Sequence, residues 1–215
     1  MLRVRELSLI FIPAILFVTL GLSVQIIRFE PQFPKVSEVA ASKPIQIPIL
    51  PDDPLLGERK APIAIIAFAD LGCGACREEI SNFLELTTSY PRKLKVIWKF
   101  LPVTKFPEPS DIAHDYAYCA NKQNKFADFL KADISVDDNL SSDALQEIAQ
   151  KIKLDKNQLT ACLDDKATAS HKQLTSDIAA TLGINTVPAI YRDNNLVQRQ
   201  TSVSGWTEVL GLSGD

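Results

Sequence analysis

Apolar positions recur along the chain with several different periods, and each period predicts a different element. From Leu7 to Ile27 no charged residue interrupts a block of Leu, Ile, Val and Phe, about the 20 residues a helix needs to cross a hydrocarbon core. Ile63 to Phe68 is a short continuous apolar run, as expected of a strand buried on both faces. Cys73 then opens a helical pattern in which Ile80, Phe83, Leu84 and Leu86 share a face, and Tyr90-Pro91 closes it. Leu94 to Leu101 reads as a second strand, with Val96, Trp98 and Phe100 alternating against lysines. Strand, helix and strand with a buried sheet predict a parallel crossover unit.

A largely helical stretch follows from Ser110 to Leu182. Its expected buried faces carry Ile112, Tyr116 and Cys119, then Phe126, Phe129 and Leu130, then Leu145, Ile148 and Ile152. Asp155 with Gln158 three residues on has the form of a capping box before Leu159, Cys162 and Leu163. A last helix carries Leu174, Ile178 and Leu182 and stops at Gly183. Ala189 to Tyr191 and Leu196 to Thr201 form a predicted hairpin turning at Asp193-Asn194-Asn195. Gly205 to Leu212 closes the chain as a short helix. The layout is an α/β sheet unit with a helical insertion at about 110–182.

Ahead of this domain, Arg3 and Arg5 precede the uncharged block and only Arg28 follows it closely. Positive residues stay in the cytoplasm, so the remainder is expected outside it. An uncleaved transmembrane anchor over residues 1–28 is the preferred reading. A cleaved signal peptide is the competing one, and the block is long for that purpose with no prompt small-residue cleavage site. Residues 29–50 read as a proline-rich tether, since Pro31, Pro34, Pro44 and Pro48 keep the chain extended. Within it, Ile45 to Ile49 could add an edge strand. Residues 51–215 are the domain proper.

Composition adds little. Of 215 residues, 46% are hydrophobic, enough for a core once the N-terminal block is set aside, and the net charge of −3 argues against nucleic acid. The four cysteines change the picture more. They form one C-x-x-C, Cys73-Gly74-Ala75-Cys76, and two isolated residues, Cys119 and Cys162. Cysteines three apart at a helix start can close a small disulfide and exchange it with a substrate. The first helical turn offers unpaired N–H groups and positive potential, which favour a thiolate over a thiol. Cys73 is the expected attacker, and Cys76, one turn deeper, the resolving partner. His114 and His171 have no ligand spacing to each other or to a cysteine, so both read as solvated helix residues and no metal site is assigned.

The stretch Asp52-Asp53-Pro54-Leu55-Leu56-Gly57, followed by Ala61-Pro62 through Arg77, resembles the start of a DsbA-type domain of the thioredoxin-like superfamily. Thr186-Val187-Pro188 ahead of a strand is similar to the cis-proline loop of that superfamily. The resemblance covers roughly residues 50–212. It implies a thioredoxin-like fold with a helical insertion, and thiol-disulfide oxidoreductase activity needing no added cofactor. It implies a cis Pro188 against the cysteine pair, with Val187 and Thr186 offering contacts to an extended substrate. The implied partners are exported proteins with thiols or disulfides and a membrane redox protein for reoxidation. Two departures stand out: Gly74-Ala75 is neither Pro-His nor Gly-Pro, and Ala67 stands where many relatives carry a strand carboxylate. In part of this family a disulfide joins cysteines of the insertion. Cys119 and Cys162 are therefore read either as that bridge, which an oxidising compartment favours, or as two buried thiols. Protein oxidation is the leading function, a reductase or isomerase the alternative. A Cu(I)-carrying module is a further one, which Cys73 and Cys76 would serve as soft ligands.

Overall fold

The computed structural model describes residues 17–22, 46–136 and 140–213. Residues 17–22 are helical. Among the described residues no helix is long and apolar enough to cross a membrane, and the uncharged block at Leu7–Ile27 lies mostly outside them. The chain divides into two compact units, Met1–Lys43 and Pro44–Asp215, and the second carries the fold.

Five strands make one sheet in the order β1-β3-β2-β4-β5: β1 (Leu55–Gly57), β2 (Ile63–Ala69), β3 (Leu94–Phe100), β4 (Ala189–Arg192) and β5 (Asn195–Val197). β2 and β3 run parallel, in register from Ile63 opposite Leu94 to Ala69 opposite Phe100. Helix α1 (Gly74–Ser89) is their crossover, as parallel neighbours require. The other three pairings are antiparallel. The edge strand beside β3 is Leu55–Gly57, not the Ile45–Ile49 expected from the tether. Residues 46–50 are not a strand, but Ile47 is buried and its N–H donates to Asn194 Oδ1 at 2.9 Å. The tight end of β1 explains the choice. Gly57 has φ +82, and a Cβ there would collide with the Leu94 carbonyl oxygen, a place only glycine fills without strain.

Period two in the central strands builds a core on each face of the sheet. Ile65, Ala67, Leu94, Val96, Trp98 and Phe100 face one core, shared with Ile80 and Phe83 of α1 and with most of the insertion. Ile66, Phe68 and Ile97 face the other, against Ile47 and against Ile178 and Ala179. Lys99 points into this second layer too. It is fully buried, so the expected solvent-facing lysine is instead an internal charge. Its Nζ lies 2.5 Å from Asp53 Oδ2, and a charge at that depth is tolerable only when paired. Burial pulls the Lys99 ammonium below its ordinary range, with Asp53 acting against it.

The insertion comprises α2 (Asp111–Lys122), α3 (Phe126–Asp133), α4 (Ser142–Lys151), α5 (Lys156–Leu163) and α6 (Lys166–Thr181), and α7 (Val203–Val209) follows the hairpin. Several expected faces are rotated. Ile112 is 41% exposed, and α2 buries Ala113, Tyr116, Ala117 and Ala120 beside Cys119. Leu174 is 46% exposed, and α6 buries Thr168, His171, Thr175 and Ile178. The small residues of α2 pack against the neighbouring helices of the insertion, and on α6 Asp53 supplies the buried His171 with a partner. The capping box is half realised. Asp155 Oδ1 accepts from Gln158 N at 2.8 Å, while the Asp155 N–H donates to Gln123 Oε1 instead. The hairpin turn is the pair Asp193-Asn194, with φ of +50 and +62, the combination that suits the twist of a two-residue loop.

Candidate redox site

β2 ends at Ala69, and the turn Asp70-Leu71-Gly72 delivers Cys73 to the N-cap of α1. The cap has extended backbone geometry, and the Cys73 sulfur accepts from the Cys76 N–H at 3.4 Å. A cysteine therefore occupies the place where serine or aspartate usually meets the orphan donors of a first turn. Gly74 is exposed and Ala75 half-buried, which leaves the Cys73 sulfur partly accessible. Cys76, one turn in, is fully buried. Burial, together with the nearby Cys73 and the charge of Asp70, pushes its thiol well above the ordinary range, against the hydrogen bond from the Asp70 N–H. Cys73 and Cys76 are both free thiols.

Opposite the pair, the Val187–Pro188 peptide is cis. It brings the Val187 carbonyl to 3.9 Å from the Cys73 sulfur, across 114 residues of sequence. Val187 and Pro188 are half-buried and Thr186 is exposed on the same loop. A second cis bond lies at Phe106–Pro107. Cys119 and Cys162 are joined by a disulfide with S–S 2.06 Å, linking α2 to α5.

The histidines depart most from expectation. His114 is 1% exposed, and its Nε2 lies 3.0 Å from Asp70 Oδ1. His171 is also buried, with Nε2 3.1 Å from Asp53 Oδ1 and its ring against Tyr118. Asp70, in the turn after β2, is completely buried. Its carboxylate accepts from Gly72 N at 3.0 Å, Val103 N at 2.8 Å and Thr104 N at 2.6 Å, besides His114. Burial opposes this charge, but the hydrogen bond and charge of His114 and the amide donors outweigh it, so the carboxyl stays well below the usual carboxylate range. Glu79 on α1 is a third buried carboxylate, held by Arg199 Nε at 2.8 Å and Trp206 Nε1 at 2.7 Å. A weak signal for Asp70 was available: it is a lone carboxylate directly ending an apolar strand. His114 likewise sits between Ala113 and Ala117 at helical spacing. Neither pattern names its partner.

A thioredoxin family model matches residues 50–211, spanning the cysteine pair, the insertion and the cis-proline loop. The chain belongs to this thioredoxin family. Its domain resembles a thioredoxin-like oxidoreductase from Silicibacter pomeroyi, with 22% identity and TM-score 0.66, covering 76% of this chain and 93% of the other. It also resembles the thiol-disulfide exchange protein alpha-DsbA2 from Wolbachia pipientis, with 18% identity and TM-score 0.64 over 75% and 87% of the two chains. BdbD from Bacillus subtilis shares the fold at 19% identity, TM-score 0.63, over 75% and 92%. Among curated proteins, the Na(+)/H(+) antiporter NhaA 3 of Salinispora tropica is 24% identical over 148 residues, 68% of this chain and 22% of the antiporter. The chain spans about a fifth of the length of the curated relatives it matches. The thioredoxin-like fold with a helical insertion is therefore shared with DsbA-like proteins.

Proposed function

We propose that this thioredoxin-family chain is a thiol-disulfide oxidoreductase acting on exported proteins, with Cys73 as attacking sulfur and Cys76 as resolving sulfur. The observation that carries the reading is the juxtaposition of the Cys73 sulfur, at a helix N-cap, with the Val187 carbonyl ahead of cis-Pro188. An extended substrate lying along residues 186–188 would meet Val187 main-chain groups as an added strand does, with its sulfur beside Cys73. In the oxidising direction a substrate thiolate attacks Cys73 of the Cys73–Cys76 disulfide. The Cys73–substrate bond forms and Cys76 leaves as a thiolate. A second substrate thiolate then attacks the substrate sulfur of the mixed disulfide, the substrate disulfide forms, and Cys73 leaves as a thiolate. Two electrons pass from substrate to the cysteine pair, and a membrane redox partner would remove them.

An extracytoplasmic location, with the uncharged block as anchor, supports the oxidase direction, because a reductant there needs its own electron supply. Anchoring beside the reoxidising partner would raise its effective concentration. The test uses the Cys76→Ser chain, which should trap mixed disulfides with exported proteins at Cys73, while Cys73→Ser should trap none. Equilibration of the parent with a glutathione buffer should give a potential more oxidising than about −220 mV. Absence of trapped adducts would sink the enzymatic reading, and a potential near −270 mV, about that of thioredoxin, would transfer it to a reductase. The full-length chain should fractionate with membranes, and a mature N-terminus near residue 24 or 42 would show cleavage instead.

A further inference from the structure

The proposed exchange needs a thiolate at Cys76 in both directions, as leaving group when substrate is oxidised and as attacking group when the mixed disulfide is resolved. That sulfur is fully buried, where a charge is costly without a donor. The Asp70 main-chain N–H donates to it, 3.4 Å from Cys76 Sγ. The Asp70 carbonyl in turn accepts from Cys73 N at 3.2 Å. One residue thus touches both cysteines through its backbone, while its side chain decides where that backbone sits. The carboxylate ties together Gly72, Val103, Thr104 and His114. Gly72 fits against the Thr104 side chain so closely that a Cβ would approach it to 2.8 Å. The Leu71 N lies 3.2 Å from the same His114 Nε2, and one ring nitrogen cannot both donate and accept. A bare lone pair would face the Asp70 carboxylate, so the proton is assigned to Nε2, which donates to Asp70 and is then no acceptor for the Leu71 N–H. His114 Nδ1 is buried with no hydrogen-bond partner among the described residues, so the ring is held by Asp70 and by packing on Phe100 at 4.8 Å.

Resting on the function proposed above, we infer that His114, acting through Asp70, is a positioning residue for the Cys76 sulfur. It aims the Asp70 N–H at that sulfur and offsets the carboxylate charge beside which the second negative charge must form. In resolution, Cys76 gives its proton to water and its thiolate attacks Cys73. The Cys73–Cys76 bond forms, the Cys73–substrate bond breaks, and the substrate leaves as a thiolate. Removing the His114 donor therefore burdens this step and not the first attack by Cys73, which is half-exposed and bonded to the Cys76 N–H.

The experiment uses the reduced full chain and glutathione disulfide, with acid quenching and mass spectrometry to follow the Cys73–glutathione adduct. His114→Phe should slow resolution about tenfold, ~1.4 kcal/mol, so that the adduct accumulates. The pH profile of resolution should move upward by about one unit. His114→Gln, whose amide still donates to Asp70, should restore most of the rate. His114→Asn is too short to reach and should behave as His114→Phe, carrying the decision if the phenylalanine variant does not fold. In a Cys76→Ser background, where only the first attack occurs, the histidine substitutions should leave adduct formation unchanged within about twofold. Equal resolution rates in all variants, or equal slowing of formation and resolution, would overturn the inference. No adduct at all in Cys76→Ser alone would instead overturn the exchange reading on which it rests.

Discussion

Replacing Cys119 and Cys162 together by alanine should cost the domain much of its stability and none of its exchange chemistry. The bridge closes a loop with a sequence separation of 43 residues between α2 and α5. In the chain-entropy treatment a loop of that size corresponds to about 13 cal/mol/K removed from the unfolded state, or ~4 kcal/mol at 25 °C. Cys119 is also fully buried in the larger core, so truncation to alanine leaves unfilled space that adds to the loss. For a domain of this size, 4 kcal/mol corresponds to a fall in Tm of roughly 10 °C. Thermal and urea denaturation of the oxidised parent and the double variant measure it directly. The rate of adduct formation at Cys73 with glutathione disulfide should be the same in both, because neither bridge cysteine is bonded to Cys73 or Cys76. A Tm change below about 3 °C would show that the unfolded chain gains little freedom when the bridge is absent, and would refute the estimate. Impaired exchange in a variant that is still fully folded at the assay temperature would refute the separation of insertion from site.

Gly57→Ala should destabilise by about 1–3 kcal/mol, since it forces a positive φ and a collision with the Leu94 carbonyl, and hydrogen exchange should rise at β1 before the central strands. Asp70 is held below its ordinary value of 3.8. Its charge therefore contributes stability that is fully present above that value and is lost as pH falls toward the lower folded value. Asp70→Asn should accordingly flatten the acid limb of the stability profile below about pH 4, and an unchanged limb would contradict the assignment. Burial raises the Glu79 carboxyl, against Arg199 and Trp206, so its contribution has the opposite sign, present below the ordinary carboxylate range and lost as pH rises through the folded value. Trp206→Phe removes one donor to Glu79 and should lower stability by ~1–3 kcal/mol near neutral pH, as measured by urea denaturation.

Much of the molecule was legible from local physics. A helix-start C-x-x-C, a Thr-Val-Pro before a strand, and apolar runs of period two or 3.6 each depend on residues within a few positions of one another. The crossover unit, the order of the helices and the cysteine pair therefore followed from the sequence, while the place of the proline loop beside that pair came from the resemblance to the thioredoxin-like superfamily. What it left open depends on partners far apart. Asp70 meets His114 across 44 residues, His171 meets Asp53 across 118, and Arg199 meets Glu79 across 120. A charged or imidazole side chain carries no mark in the sequence of whether it will be solvated or paired, and solvation is the default until a neighbour is known. The same reason accounts for the rotated faces of α2 and α6, and for the edge strand at Leu55–Gly57. Packing, against the neighbouring helices of the insertion for α2 and against β3 for α6, chose which side of those helices was buried. Only the assembled fold brings the Val187 carbonyl to Cys73, because chain closure over that separation is decided by the whole core at once.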